Sequence, residues 1–204
     1  MTDKLADLDV SRETTERLQI YADLLRMWNP KINLVAPSTI DDLWSRHFLD
    51  SAQLYRLAPV HFDHWADLGA GGGFPGLVIA ILAQDRASQA RMTLVESDAR
   101  KSAFLRTVLR ETGVNASVVT KRVEAVPPLS APVLSARALA PLSGLMEFAH
   151  RHLSTTGVAL FPKGQNWEKE LHDAKSAWQF SYRVDRSVVQ GNSVILSVTG
   201  VGRF

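Results

Sequence analysis

The stretch DLGAGGGFPG, residues 67–76, decides the fold and fits two cofactor motifs. Gly71, Gly73 and Gly76 have the G-x-G-x-x-G spacing of dinucleotide-binding loops. Counted from Asp67, the same loop has the D-x-G-x-G-x-G spacing common at S-adenosylmethionine (SAM) sites. Glycines in a turn from a strand into a helix allow positive φ or the close approach of a ligand. The stretch therefore predicts an adenosine cofactor, and its spacing alone leaves both kinds open.

Apolar runs on both sides of the loop predict strands that alternate with helices. Five stretches predict strands before the C-terminus, and the helices lie between and after them; the strands are HWADLG, MTLVES, ASVVTKR, APVLSAR and GVALFPKG, and the helices are PGLVIAILA, DARKSAFLRTVLRETG, LSGLMEFAHRHL and NWEKELHDAKSA. This alternation is typical of a parallel, doubly wound sheet. The last two strands, WQFSYRVDR and NSVILSVTG, surround Gln190-Gly191-Asn192 without a helix, so they predict a terminal hairpin with an antiparallel strand.

The chain before the loop predicts a helical extension. Apolar residues recur at helical spacing up to Trp28, and Asn29-Pro30 predicts the end of that helix. Capping-box spacings near Thr39 predict that a second helix begins there and ends near Leu57. We expect residues 1–60 to form this extension and residues 61–204 to form one compact cofactor-binding unit.

Composition narrows the function classes. The 204 residues are 46% hydrophobic and 22% charged and include no cysteine, which excludes disulfides, thiolate zinc sites and cysteine nucleophiles. The charged N-terminus does not resemble a signal peptide and no apolar run is long enough to span a membrane, so we expect a cytoplasmic protein without a membrane partner. The sequence pI is about 9.0. The basic side chains are mostly arginines, which suit either a phosphate-bearing partner or a solvated surface.

Glu96 ends the second predicted strand, 20 positions after the last glycine of the loop. A carboxylate there can bind the ribose hydroxyls of either cofactor. Asp67, at the end of the first strand, could help to hold the methionine ammonium of SAM. The C-terminal hairpin also favours SAM, as does the little chain left for the catalytic domain that a nicotinamide-dependent reductase needs.

Six stretches in order resemble one family: WNPKINLV (28–35), RHFLDS (46–51), DLGAGGGFPG (67–76), KRVE (121–124), SARAL (135–139) and FPKGQ (161–165). Together they resemble the ribosomal small-subunit methyltransferase G family, also called glucose-inhibited division protein B. The resemblance implies a Rossmann-like class I SAM-dependent methyltransferase sheet behind an N-terminal helical extension. It also implies methylation of N7 of a guanine in the 530 loop of 16S rRNA.

The resemblance implies that Gly69 and Phe74 contact the cofactor, that Val123 and Glu124 lie near the adenine, and that Arg137 is the family's arginine after the fourth strand. With the positions indicated by spacing alone, the expected cofactor residues are Gly69, Gly71, Gly73, Phe74, Glu96, Val123, Glu124 and Arg137. Guanine N7 carries a free lone pair, so direct in-line methyl transfer needs no obligatory general base. The enzyme's contribution is then to orient the two reactants.

The candidates for orienting the substrate follow predicted strands or lie in RHFLDS. Arg137 and Lys163 come directly after strands at the cofactor side of the sheet. Arg46 and His47 are further candidates, although Arg46 could instead pair with Asp50 four residues on and His47 could be a packing residue. We expect 16S rRNA, or the small ribosomal subunit, as the partner of a monomer.

Histidines and arginines outside these motifs are considered for other kinds of site. His150 and His152 have one residue between them and no adjacent acid, so we expect no metal site. Arg106 and Arg110 share a helix face that contacts either rRNA phosphates or water. A small-molecule SAM-dependent methyltransferase, a nicotinamide-dependent reductase and a non-catalytic ribosome-assembly factor are the competing functions.

Overall fold

The computed structural model describes residues 10–85, 90–189 and 191–204 of the 204-residue chain. Within them, seven strands form one sheet in the order β3-β2-β1-β4-β5-β7-β6. The strands are β1 His64–Leu68, β2 Arg91–Val95, β3 Ser117–Val119, β4 Ala131–Ser135, β5 Leu153–Lys163, β6 Trp178–Arg186 and β7 Val194–Arg203. The α-helices are α1 Arg12–Ile32, α2 Asp50–Leu57, α3 Gly76–Asp85, α4 Ala99–Thr112, α5 Leu142–His152 and α6 Trp167–Lys175.

The sheet has the predicted doubly wound arrangement. β1 pairs in parallel with β2 on one side and with β4 on the other, so the strand order reverses beside β1. β7 lies antiparallel between β5 and β6, which confirms the predicted C-terminal hairpin. In its predicted turn, Gln190 lies outside the described residues. Because ligands bind where the strand order reverses, the carboxyl end of β1 is the expected site.

Alternation along the strands supplies two hydrophobic layers. Trp65 of β1 faces one layer, in which α1, α2, α3 and α4 cover the sheet. Ala66 and Leu68, which alternate with it, face the other layer, beneath α5 and α6. Both faces of β1 are therefore covered, and all five of its residues are buried. Burial from both sides holds the end of this strand in a fixed position.

The N-terminal helices differ from the predicted ones at two points. The first helix continues through Pro30 to Ile32 and ends at Asn33, whose φ is 48° and whose N–H bonds the carbonyl of Asn29. A proline in the last turn removes only one helical hydrogen bond, so the prediction that Asn29-Pro30 ends the helix was wrong. The first nine residues lie outside the described part of the chain.

The second helix begins later than its capping pattern predicts. Pro37–Thr39 form a short 3-10 turn, Trp44–Leu49 form a π-helix, and only then does α2 begin. The hydroxyl of Thr39 bonds the carbonyl of Ala36 and the ring of His47, so it does not cap a helix. The predicted end at Leu57 is confirmed. The wider π-turn is a local rearrangement often found at functional sites.

The helical extension is joined to the cofactor loop by a hydrogen bond. The hydroxyl of Tyr21, fully buried on α1, donates to the carbonyl of Gly72. Its ring stacks on Phe74 with centroids 5.2 Å apart. Helix α1 therefore supports the loop from behind. In the described residues no helix has the length and apolar character that crossing a membrane requires.

Candidate functional site

The glycine loop makes a compact turn from β1 into α3. Gly69 and Gly73 have φ angles of 67° and 94°, in the region that favours glycine. A Cβ on Gly73 would lie 2.5 Å from the hydroxyl of Tyr21 and 2.5 Å from Leu77. A Cβ on Gly69 would lie 2.6 Å from Leu139. Glycine is required at both positions by the backbone conformation and by the close packing around it.

Asp67 supports the loop from within the protein. Its side chain is 1% exposed, one oxygen accepts the N–H of Gly76 at 3.0 Å and the other accepts the hydroxyl of Ser135 at 2.6 Å. Ser135 in turn accepts the indole N–H of Trp65 at 2.9 Å. Both carboxylate oxygens are engaged beneath the loop, and the expected contact of Asp67 with the methionine ammonium stays a prediction. Its part is to attach α3 to the ends of β1 and β4.

Burial perturbs this carboxyl group strongly. Loss of hydration raises the pKa of Asp67 to about 7, against the lowering effect of its bonds from Ser135 and Gly76. The folded protein thus binds a proton that the unfolded chain releases near its ordinary pKa. The free energy of unfolding therefore decreases as the pH rises from about 4 to 7.

This linkage gives a measurable pH effect on stability. We expect the free energy of unfolding of the wild type, relative to that of Asp67→Asn, to fall by about 2–3 kcal/mol between about pH 5 and pH 8. Urea denaturation at a series of pH values measures it. Asp98→Asn is the matched control. Hydrogen bonds from the N–H groups of Lys101 and Arg100 lower the pKa of exposed Asp98, so the difference in stability between the wild type and this variant should not fall over the same pH range. Parallel curves for the wild type and Asp67→Asn would contradict the expected linkage.

Glu96 lies at the end of β2, where the sequence places a ribose-binding acid. It is 8% exposed, and its two oxygens accept the N–H groups of Gly71 at 2.8 Å and of Asp98 at 2.7 Å. A carboxylate oxygen has room for a second hydrogen bond, so both oxygens can still accept ribose hydroxyls. Glu96 also sets the distance between the glycine loop and the start of α4.

A cavity of about 330 Å³ lies between the glycine loop and the ends of β2 and β4. Seven of the eight predicted cofactor residues line it: Gly69, Gly71, Phe74, Glu96, Val123, Glu124 and Arg137. Gly73 does not line it, because this residue packs behind the loop against Tyr21 and Leu77. The volume lies within the range of small-molecule sites. The acceptors for a ribose and the apolar wall for an adenine fit an adenosine cofactor.

The start of α3 distinguishes the two cofactor motifs. A dinucleotide site leaves the first N–H groups of this helix free for a pyrophosphate. Here Gly76 donates to Asp67, and Leu77 donates to the carbonyl of Gly73 at 2.9 Å. These donors are engaged within the protein and are not free for a pyrophosphate. The geometry favours SAM, whose adenosine carries no phosphate.

Arg137 lies between the cofactor cavity and a larger one. It lines both, and its guanidinium is 5.2 Å from the ring centroid of Phe74. It donates to the ring Nδ1 of His47 at 2.9 Å and reaches a carboxylate oxygen of Asp50 at 3.4 Å. The prediction that Asp50 pairs with Arg46 does not hold in the described structure, because Asp50 pairs with Arg137 from the end of β4. RHFLDS therefore holds Arg137 in place.

His47 acts as a neutral hydrogen-bond acceptor. Burial, followed by the nearby charges of Arg137 and Arg46, lowers the pKa of His47 to about 3. Since Nδ1 accepts from Arg137, Nε2 carries the proton and donates to the hydroxyl of Thr39 at 2.8 Å. The ring also lies 5.0 Å from that of Phe74. This series of contacts orients Arg137 and leaves His47 unsuited to act as a base near neutral pH.

The larger cavity has a volume of about 770 Å³ and adjoins the cofactor cavity. Arg137, Ala138, Leu139 and Leu34 line both. Lys163 lies in its wall, with its ammonium 2.6 Å from Glu170 and 3.1 Å from the carbonyl of Ala140. Its side chain is only 9% exposed, so Lys163 is not a surface cation. The sequence alone left that possibility open.

Arg46 also lines the larger cavity, through a side chain for which the described structure shows no hydrogen bond or ion pair. The other cations differ. Arg106 donates to the carbonyl of Val118 and to Thr120, and Arg110 pairs with Glu111. Of the basic candidates, Arg46 is thus the one best placed to meet an incoming anion at this cavity.

His150 and His152 lie in different environments. His152 is fully buried and its Nε2 contacts the carbonyl of Val123, whereas His150 is exposed and contacts the carbonyl of Val201. Among the described residues, no group of three or more metal-ligating side chains occurs.

Several lining residues were not predicted from the sequence. Thr39, Ala138 and Leu139 join the two cavities or hold the residues between them. Lys101 and Lys121 line the mouth of the cofactor cavity. Lys101 lies in the first turn of α4, five residues after Glu96, and this short spacing is a usable signal. The φ of 53° at Ala138 has no such signal, because alanine rarely adopts it.

Comparison with known proteins agrees with this geometry. A family model described as "GidB: rRNA small subunit methyltransferase G" matches residues 14–198. The chain is 54% identical over 196 residues to the "Ribosomal RNA small subunit methyltransferase G" of Ruegeria pomeroyi, covering 96% of each. Solved structures share the fold at low identity. A mutant of MtNAS in complex with S-adenosylmethionine is 17% identical, with a TM-score of 0.58 over 91% of this chain and 75% of that one. A SAM-dependent methyltransferase from Aquifex aeolicus is 13% identical, with a TM-score of 0.58 over 80% and 97%.

Proposed function

Because the chain belongs to the rRNA small subunit methyltransferase G family, we propose that it methylates N7 of a guanine in the 530 loop of 16S rRNA. SAM is the methyl donor, and the fold is the class I methyltransferase fold. The observation that carries the proposal is the pair of adjoining cavities, one suited to an adenosine and one large enough for a base, with Arg137 between them.

Each part of the chain has a distinct task in this proposal. Residues 61–204 provide all of the cofactor cavity's lining except Leu34, with Glu96 to hold the ribose and Val123 and Glu124 beside the adenine. Residues 1–60 provide one wall of the guanine cavity through RHFLDS. Such a division explains why the extension contacts Arg137 through His47 and Asp50.

Methyl transfer here needs orientation and no proton transfer. When bound, SAM supplies a methyl group on a sulfonium, which the lone pair of a neutral guanine N7 can accept as the carbon–sulfur bond breaks. In this proposal Arg137 donates to guanine O6, next to N7 on the Hoogsteen edge. Asp50 offsets much of the charge of Arg137, so the pair repels a sulfonium less than a free guanidinium would.

The target base must leave its stack to reach this cavity. Phe74 lies against His47 and beneath Arg137, so these side chains form one wall of planar groups. Lys163 and Glu170 hold the loop after β5 at the far side. Arg46 is left to contact a phosphate of the displaced strand. We propose these four groups as the orienting residues: Arg137, Lys163, His47 and Arg46.

Analysis of rRNA nucleosides tests the function directly. Mass spectrometry of 16S rRNA from cells with and without the gene should show 7-methylguanosine in the 530 loop only when the gene is present. Purified protein with SAM should restore it to subunits from the deficient cells. An unchanged 7-methylguanosine signal would refute the function. Methylation of a metabolite without RNA would instead identify a small-molecule enzyme, and RNA binding without any methyl transfer an assembly factor.

A further inference from the structure

A third cavity, of about 460 Å³, lies beside the proposed guanine cavity at the C-terminal hairpin. Its wall contains the indole of Trp167, the carboxylate of Glu168 and the guanidinium of Arg186. The amides of Gln165 and Asn192 complete its polar lining. Trp167 is half-buried at the start of α6, and the other four are exposed. Nothing in the proposed methyl transfer uses these side chains.

Strand pairing places this cavity directly next to the guanine cavity. Val194 lines both, and it pairs with Lys163 on one side and with Arg186 on the other. Paired residues of neighbouring strands point to the same face of a sheet, so Lys163 and Arg186 lie on one face. Their backbones are two strand spacings, or about 10 Å, apart. A single strand of RNA that places one base beside Lys163 can reach the third cavity with a neighbouring base.

The chemistry of the lining suits a base better than a phosphate. In the described part of the chain, none of the side chains of Gln165, Glu168, Arg186 and Asn192 makes a hydrogen bond or ion pair. A phosphate site would offer donors and cations only, whereas Glu168 is an acceptor that repels phosphate. Donors and acceptors together match the mixed edge of a nucleobase. The indole supplies a flat apolar surface for its face.

We propose that the third cavity binds an unpaired base of the rRNA next to the methylated guanine, stacked on Trp167. The proposal rests on the proposed function, because it assumes that the guanine cavity holds a base of the same strand. Stacking a flanking base would keep the target base displaced while Arg137 orients it. The amides, Glu168 and Arg186 then read the edge of the flanking base.

Replacing the indole tests the proposal. We expect Trp167→Ala to raise KM for unmethylated small subunits about ten-fold, with kcat changed less than about two-fold. The same variant should raise the Kd for a fluorescein-labelled single-stranded RNA that covers the target loop, measured by anisotropy, by a similar factor. Trp167→Phe keeps an aromatic face and should stay within about three-fold of the wild type. Calorimetry with SAM shows that each variant is folded.

Tyr182→Ala is the matched control, since Tyr182 is an exposed aromatic residue on β6 that lines neither cavity. Values of KM and Kd for Trp167→Ala within two-fold of the wild type would overturn the proposal. If Trp167→Ala does not bind SAM, Arg186→Ala and Asn192→Ala provide the test. RNA binding as tight as that of the wild type in both of these variants would overturn the proposal.

Two further outcomes separate the competing explanations. If Trp167→Ala weakens binding to whole subunits and not to the naked RNA, the third cavity would be assigned to a ribosomal protein, which contradicts the proposal. Wild-type protein that fails to methylate subunits would refute the proposed function, while the anisotropy of the variants on RNA would still test the cavity by itself.

Discussion

Replacing Arg137 with alanine is expected to lower kcat/KM for unmethylated small subunits by about 100- to 1,000-fold. Arg137 is the side chain that lines both the cofactor cavity and the guanine cavity while bonded to His47 and Asp50. Removing one preorganised hydrogen-bond donor that faces the reacting group typically lowers the rate by about 100- to 1,000-fold. The change also leaves Asp50, whose side chain is 13% exposed, without its ion-pair partner. Incorporation of labelled methyl groups into subunits measures the loss.

Two variants separate orientation from charge. Arg137→Lys keeps the positive charge and loses the planar fork that bonds two groups at once, so we expect an intermediate activity. Arg203→Ala removes an exposed arginine that pairs with Glu147 far from the site, and its activity should match the wild type. Full activity of Arg137→Ala would show that the group between the cavities does not orient the substrate.

Replacing Glu96 with alanine is expected to weaken SAM binding by at least about 100-fold. Two hydrogen bonds from ribose hydroxyls to a carboxylate contribute about 1.5–3 kcal/mol each when fully formed. The same change removes the acceptor for the N–H groups of Gly71 and Asp98, so the loop beneath the ribose also loses its support. Titration calorimetry with SAM and with its demethylated product measures both affinities.

Glu96→Gln gives the internal comparison. Its amide oxygen can still accept one hydrogen bond, and its charge is gone, so we expect a loss of about ten-fold. Glu147→Ala is the control for charge, because Glu147 contacts Arg203 and not the cofactor cavity. Unchanged affinity for SAM in Glu96→Ala would mean that the ribose is bound elsewhere. Tight binding of NADH in place of SAM would revive the dinucleotide alternative.

Much of the fold was predictable because its signals are local. The alternation of apolar strands and helices from His64 onward depends on side-chain periods of two and 3.6 residues, which are visible within a few turns. Gly113, the last residue of the predicted helix DARKSAFLRTVLRETG, follows α4 in the left-handed conformation that favours glycine. The N-terminal region was harder, because the hydroxyl of Thr39 bonds His47 and so does not cap a helix.

Most residues that line the cofactor cavity were predictable from the sequence, but their contacts were not. Glu96 and Arg137 follow strands whose ends meet at one edge of the sheet, so their proximity to the loop follows from topology. Asp67 also ends a strand, yet it is buried beneath the loop and holds Gly76 and Ser135. A residue at the end of a strand can face the ligand or the core, and its identity does not say which.

The sequence by itself determined the order of the strands and helices along the chain, the glycine loop and the position of the acid directly after β2, because short-range spacing and backbone preference control these. Only the tertiary structure decided that Arg137 is bonded to His47, 90 residues earlier, and that burial raises the pKa of Asp67 to about 7. The physical reason is that hydration and partners set the charge and direction of a side chain, and both depend on which distant segments fold against it.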